Sequence, residues 1–257
     1  MLSKAQLKLI KSLHLKKNRE QMKLFIAEGK KVVDELHNSH IKVVHVFASG
    51  SYYGDRPFTQ VTEAEMKKIS ALTTPPNMLA LCRIPTEPTT LPDLEEELVL
   101  VLDDIRDPGN LGSIIRIADW FGISYIFCTP ECVDAYNPKT VQASMGSITR
   151  VVIDYKNLPN VLQQCKAKQI PIYGAKLDGV NMLKEQLTSN GLLIIGNESN
   201  GISPELSNYI TRSLKIPSYP YISGDSSQLT PGSAESLNAA MATAILCSEF
   251  RRDVLKG

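Results

Sequence analysis

The chain has 257 residues, of which 43% are hydrophobic and 21% charged, with a formal net charge of +1. This excludes a disordered, collagen-like or low-complexity chain and leaves room for one large domain or two modest ones. The charge is uneven: residues 1–90 carry 14 Lys and Arg against 8 Asp and Glu, a net of +6, which leaves −5 for the remainder.

The opening stretch, MLSKAQLKLIKSLHLKK, has leucines at helical spacing with lysines between them. It lacks a continuous apolar core and a small-residue cleavage site, so a secretory signal is not expected. No run approaches the ~20 apolar residues that span a membrane. Most of the positive excess lies between Lys4 and Lys31, which suits either a polyanionic partner or a solvated helical face. A short apolar strand is predicted at Leu24–Ala27, then a helix over Lys30–Leu36 after Gly29, and a strand at Val43–Phe47. Thr62 with Glu65 three residues on forms a capping box that starts a helix. Met78–Ile84 reads as a last strand, completing a small α/β unit of two or three layers. Pro85–Pro92, PTEPTTLP, places three prolines in eight residues and reads as an extended linker. The division expected is therefore 1–90 and 93–257.

After the linker, Leu98–Leu102 has no polar alternation, as for a strand buried on both faces of a parallel sheet. A helix from about Leu111 to Phe121 follows, closed by Gly122. Further strands are predicted at Tyr125–Cys128, Val151–Ile153, Pro171–Ala175, Leu192–Ile195 and Ser213–Ile216. Helices fall at Thr140–Met145 and about Val161–Lys168, with a last one from Ala234 to about Arg251. Leu237, Met241, Ala244, Ile245 and Ser248 recur on one face of that last helix. The five cysteines are scattered, and the close pair Cys128 and Cys132 has neither a second pair nor a nearby histidine. They read as buried, reduced thiols of a cytosolic protein, with no metal site.

Three loops follow predicted strands, where open α/β sheets bind their ligands. The first is DPGNLGSIIR, Asp107–Arg116. Pro108-Gly109 suits a type II turn, Asn110 and Gly112 permit close approach of the backbone, and Arg116 has Asp119 and Trp120 three and four residues on, close enough to pair and to stack. The second is GNESNGIS, Gly196–Ser203, with Ser203-Pro204 as the start of a further helix. No G-x-G-x-x-G stands at these positions, which counts against a dinucleotide site. The third runs from Lys215-Ile216-Pro217 to Ser236-Leu237-Asn238 at the last helix.

In this order the three loops resemble the three motifs of the SpoU (TrmH) family of RNA ribose 2′-O-methyltransferases, within the SPOUT superfamily. The motifs read here as Asn110–Arg116, Gly196–Gly201, and Ile216-Pro217 with Ser236–Asn238. The resemblance covers roughly Leu98–Phe250 and includes Asn137–Arg150; residues 1–90 are similar, less specifically, to the family's RNA substrate-binding domain. It implies a parallel α/β sheet with a trefoil knot, S-adenosylmethionine as cofactor, a homodimer, and no metal. By the same resemblance Gly196, Asn197, Gly201, Ile216 and Leu237 would hold the cofactor. Arg116, Asn110, Glu198, Ser236 and Asn238 would form the catalytic set. Arg116 is often given the role of base in this family, whereas a guanidinium is better suited to clamp a phosphate. Lys4, Lys8, Lys11, Lys16, Lys17, Arg19 and Lys30 would contact RNA phosphates, with ribosomal RNA favoured over transfer RNA. The alternative is an RNA-binding dimer that has lost methyl transfer. Residues 218–235 are longer than the family's usual connection, and Ser218 stands where the family usually has Met; both changes fall beside the expected cofactor pocket.

Overall fold

The computed structural model describes residues 1–51, 57–86, 92–219, 221–222, 229–230 and 235–252. In chain order the elements are α1 (Lys4–Ser12), α2 (Lys16–Met22), β1 (Leu24–Glu28), α3 (Lys30–His37), β2 (Val43–Ala48), β3 (Phe58–Gln60), α4 (Glu63–Ile69) and β4 (Met78–Arg83). Then come β5 (Leu98–Leu102), α5 (Pro108–Trp120), β6 (Tyr125–Cys128), α6 (Pro138–Ser144), β7 (Val152–Tyr155), α7 (Pro159–Ala167), β8 (Ile172–Asn181) and β9 (Gly191–Ile195). The last are α8 (Pro204–Ser207), β10 (Arg212–Lys215), the two-residue strands β11 (Tyr221–Ile222) and β12 (Leu229–Thr230), and α9 (Ala239–Arg251).

Two compact units form. The first takes in Met1–Thr89, Asp107–Asp119 and Val133–Val152; the second takes in Thr90–Arg106, Trp120–Cys132 and Ile153–Gly257. One boundary between the units falls at Thr89/Thr90, within the proline-rich stretch, of which residues 87–91 lie outside the described set; Asp107–Asp119 and Val133–Val152 group with the first unit as well.

In the first unit, four strands run in the order β1-β4-β2-β3. The β1/β4 and β2/β4 pairs are antiparallel and β2/β3 is parallel. Alternation decides the faces. Ile26, Phe47, Leu79 and Leu81 pack with Ile10 and Leu13 near α1 and with Met66 and Ile69 of α4. The intervening Phe25 meets Tyr136 with ring centroids 4.9 Å apart. The Thr62–Glu65 capping box forms as expected. Segment 133–152 joins this unit through three contacts that are distant in sequence. Besides Phe25–Tyr136, the Arg19 guanidinium bonds Asp134 at 2.7–2.8 Å and the Leu13 carbonyl at 2.7 Å. Arg150 reaches Glu35 at 2.6 Å.

The second unit holds a six-stranded sheet in the order β10-β8-β9-β5-β6-β7. The β5/β6, β5/β9, β8/β9 and β8/β10 pairs are parallel, as expected from the unbroken apolar runs. β5 and β9 are buried at every position. α9 closes against this unit through Arg251, which donates to the carbonyls of Phe121 at 3.0 Å and Ser189 at 3.3 Å. The helix begins at Ala239, capped by Asn238 with 235–237 before the cap; the expected start at Ala234 lies outside the described residues. All five cysteines are buried and free. No helix among the described residues is long and apolar enough to cross a membrane.

Candidate active site

In the first unit, the predicted catalytic residues Asn110 and Arg116 lie on α5. Asp107 caps it, its carboxylate accepting from the Asn110 N–H at 2.8 Å, and Pro108 occupies the first helical position. Gly109 does not take positive φ, so the type II turn expected there is replaced by the helix itself, which begins at Pro108 rather than Leu111. Gly112 serves a purpose other than ligand approach. A Cβ there would lie 2.5 Å from Ala143 Cβ and 2.6 Å from the Thr140 carbonyl, so its bare backbone admits α6. Leu111, Ile114, Ile115 and Ala118 are buried.

Arg116 is exposed and, among the described residues, has no hydrogen-bond, ion-pair or ring partner. The pairing with Asp119 that its spacing allows does not form. Asp119 instead accepts from Arg150 at 2.9–3.1 Å and from the Ser147 hydroxyl at 2.7 Å. Burial pushes the Asp119 carboxyl up, and the Arg150 and Ser147 donors more than offset it, leaving it below the usual carboxylate range.

One predicted RNA contact is corrected here. Arg19 is 2% exposed and bound to Asp134 and the Leu13 carbonyl, so its guanidinium cannot reach a phosphate; it is an internal tie. Lys4, Lys8, Lys11 and Lys17 are exposed. Lys16 and Lys30 are exposed too, beside Glu20 and Asp34 respectively.

In the second unit, the predicted cofactor residues Gly196, Asn197 and Gly201 lie in the loop after β9. Asn197 and Gly201 exchange backbone hydrogen bonds of 3.0 and 2.8 Å, and the Asn197 side-chain oxygen accepts from the Ser199 and Asn200 N–H groups. The loop is so tight that a Cβ on Gly196 would lie 2.3–2.4 Å from Gly201 backbone atoms. Gly201 takes φ +68°, in the left-handed region that glycine accepts without strain. Glu198 is half-buried.

Residues that the motifs do not include hold this loop. Asn197 donates to the Asp104 carbonyl at 2.9 Å, and the Ser203 N–H donates to the buried Asp103 carboxylate at 2.7 Å. Asp104 sits at φ +56°, fixed by its N–H to Thr129 Oγ1 at 3.1 Å. Beside it the Cys132 thiol accepts from the Ile105 N–H and donates to the Leu102 carbonyl, both at 3.3 Å. The hydrogen bond with Cys128 holds the Cys132 thiol down, and further hydrogen bonds with Ile105 and Thr129 act with it against burial; burial pushes Cys128 well up. The sequence signal for this support was the pair Asp103-Asp104 directly after an all-apolar strand, where a carboxylate needs backbone donors to be stable.

Ile216 and Pro217 follow β10 and are half-buried. Ser236 is exposed, Leu237 is 43% exposed, and the Asn238 side-chain oxygen accepts from the Ala240 and Met241 N–H groups at 2.9 and 3.3 Å. Most of the 218–235 stretch lies outside the described residues; β11 and β12 within it pair antiparallel. No cluster of His, Cys, Asp or Glu suited to a metal occurs among the described residues.

The second unit is an α/β unit whose parallel sheet carries a glycine-closed loop beyond its carboxyl edge, and the first presents exposed lysines and, among the described residues, an arginine without a partner. Family models make this specific: the SpoU rRNA Methylase family matches residues 97–248 and the MRM3-like substrate binding domain matches residues 4–80. The chain belongs to the SpoU rRNA methylase family. It is 30% identical over 256 residues, 94% of each chain, to the 23S rRNA (guanosine(2553)-2′-O)-methyltransferase RlmP of Bacillus subtilis. A TrmH-family structure from Porphyromonas gingivalis is 38% identical at TM-score 0.82, covering 98% of this chain and 99% of that one. An AdoMet-bound rRNA methyltransferase from Sinorhizobium meliloti is 29% identical at TM-score 0.82, with 99% and 98% covered.

The residues present suit that cofactor. Leu237 leaves apolar surface open and Ile216 is only half-covered, as walls for an adenine require, while Gly196 adds no side chain.

Proposed function

We propose that this chain is an S-adenosylmethionine-dependent methyltransferase that methylates a ribose 2′-hydroxyl of ribosomal RNA. The observation that carries this is Arg116, a solvent-facing guanidinium without a carboxylate partner on a helix buried along its other side, in a member of a family of rRNA methylases. When bound, S-adenosylmethionine supplies a methyl group already activated by its sulfonium. The loop backbone at Gly196, Asn197 and Gly201 holds it, with Ile216 and Leu237 as apolar walls.

Arg116 grips the phosphate next to the target ribose and stabilises negative charge growing on the attacking 2′-oxygen. A guanidinium keeps its proton at neutral pH, which makes the clamp a better role than the base. Asn110, Glu198, Ser236 and Asn238 align the ribose, Asn238 through the rigidity that its helix cap gives it. Alignment is the main contribution required, since the methyl donor is reactive already.

In this reading residues 1–90 are the RNA substrate-binding domain and 93–257 the catalytic domain, knotted as the family resemblance implies, in a cytoplasmic homodimer. Leu237, Met241 and Ile245 recur every four residues at 43%, 62% and 37% exposure, an uncharged stripe suited to a second copy. Lys4, Lys8, Lys11, Lys16, Lys17 and Lys30 add salt-dependent attraction for RNA.

The test is methyl transfer from labelled S-adenosylmethionine to unmodified ribosomal RNA and, separately, transfer RNA. Label is expected in alkali-resistant dinucleotides of ribosomal RNA and absent with Arg116→Ala. Label in transfer RNA alone overturns the substrate. Bound cofactor with no label in either RNA, or in ribosomal assembly intermediates, favours the non-catalytic RNA-binding dimer. Near-full turnover of Arg116→Lys at neutral pH would sink the bidentate clamp.

A further inference from the structure

We infer that Trp120 is a stacking platform for a base of the RNA strand whose phosphate Arg116 holds. The inference rests on the reading of Arg116 given above and adds a base contact to it.

Trp120 is the only tryptophan in the chain and is 84% exposed. Tryptophan is on average among the well-buried residues, and leaving so large an apolar ring in water forgoes a large burial gain. It lies at the end of a stripe on α5 made by Ser113, Arg116, Ile117 and Trp120, at the i, i+3, i+4, i+7 spacing of one helical face. Ser113 and Ile117 are half-buried and Arg116 and Trp120 are exposed. The guanidinium does not lie over the indole; no ring contact involves Trp120 among the described residues.

Charge selects the occupant. Asp119 is the one carboxylate within the helix, and Arg150 and Ser147 occupy it. The stripe therefore presents a cation and an aromatic face with no free carboxylate within the helix. A second copy of the chain would have to bury that cation without a counter-charge from the same stripe, which is costly. The uncharged α9 stripe suits a second copy better. A single-stranded nucleotide satisfies both groups at once, with phosphate on the guanidinium and base on the indole. Four residues separate them by about 6 Å along the helix axis, within the span of one nucleotide.

The sole tryptophan makes the test direct, because all indole emission comes from this position. The full chain is titrated with protein-free ribosomal RNA cut to short single strands, and in parallel with inorganic polyphosphate. RNA is expected to quench the emission while polyphosphate binds without quenching. In steady-state methylation, Trp120→Ala is expected to raise KM about 10-fold with kcat little changed, and Trp120→Phe to recover most of that loss. RNA binding seen by filter retention with unchanged emission overturns the inference, as does no RNA binding at all. A blue shift on raising protein concentration without RNA overturns it in favour of a second copy. Wild-type transfer of label tests the parent reading separately: quenching without methylation would leave the base contact standing and remove the enzyme.

Discussion

Two residues of one type, Arg116 and Arg19, have opposite fates. Arg116 has no partner within the molecule among the described residues, while Arg19 is sealed at 2% exposure against Asp134. Charge counting along the sequence treats them alike, because a counter-charge 115 residues away leaves no local signature. Arg19→Ala leaves the half-buried Asp134 carboxylate without its counter-ion. It is expected to destabilise the fold by about 3–5 kcal/mol in urea unfolding, far beyond a surface lysine such as Lys8→Ala. Gly196 makes the complementary point. Its motif position was legible, but the reason for the glycine lies in the loop's own closure against Gly201. Gly196→Ala should weaken S-adenosylmethionine binding at least about 10-fold by calorimetry, because the loop must open to admit the methyl group. Unchanged affinity would mean that this loop does not hold the cofactor.

At the scale of elements, α5 is positioned by α6 through a glycine and by a network of charged side chains. Gly112→Ala drives a methyl group into Ala143 and the Thr140 carbonyl, and should cost about 1–3 kcal/mol of stability together with a loss of turnover, since α5 carries Arg116. The Glu35–Arg150–Asp119 network gives an acid dependence whose sign follows from Asp119. Its carboxyl is lowered in the folded state, so its contribution is complete above the ordinary carboxylate range and disappears as pH falls through the lower, folded value. Asp119→Asn should therefore lower Tm at neutral pH and converge with the wild-type chain in acid, which flattens the acid limb of Tm against pH. An unaltered acid limb would show that other carboxylates control it. Element ends were where sequence reading was weakest. The α5 start moved to Pro108 because a capping aspartate precedes the proline, and α9 starts at Ala239 because Asn238 takes the cap.

For the whole molecule, the parallel sheet was readable because strands such as Leu98–Leu102 and Leu192–Ile195 lack polar alternation, and two-sided burial leaves that mark. The three-residue β3 was not, since Phe58–Gln60 has too few residues for periodicity to register. The Gly196–Gly201 loop was legible as a motif, yet of its support only the Asp103-Asp104 pair left a sequence mark; Thr129 and Cys132 come from a separate strand end. The α9 stripe carries a prediction at this scale: Met241→Glu, at an exposed position, should leave the Tm within about 1–2 °C and convert a dimer to a monomer in sedimentation velocity. A wild-type chain that sediments as a monomer at micromolar concentration would remove that stripe as an interface.

The first compact unit is discontinuous in sequence, closing only with Val133–Val152. A ribosome adds roughly 5–20 residues each second, so the 115 residues from Arg19 to Asp134 take roughly 6–23 s to emerge. Throughout that interval the nascent amino-terminal segment holds a guanidinium whose counter-ion has not been made. The earlier-made part of this unit thus waits on residues made well after it before its contacts are complete.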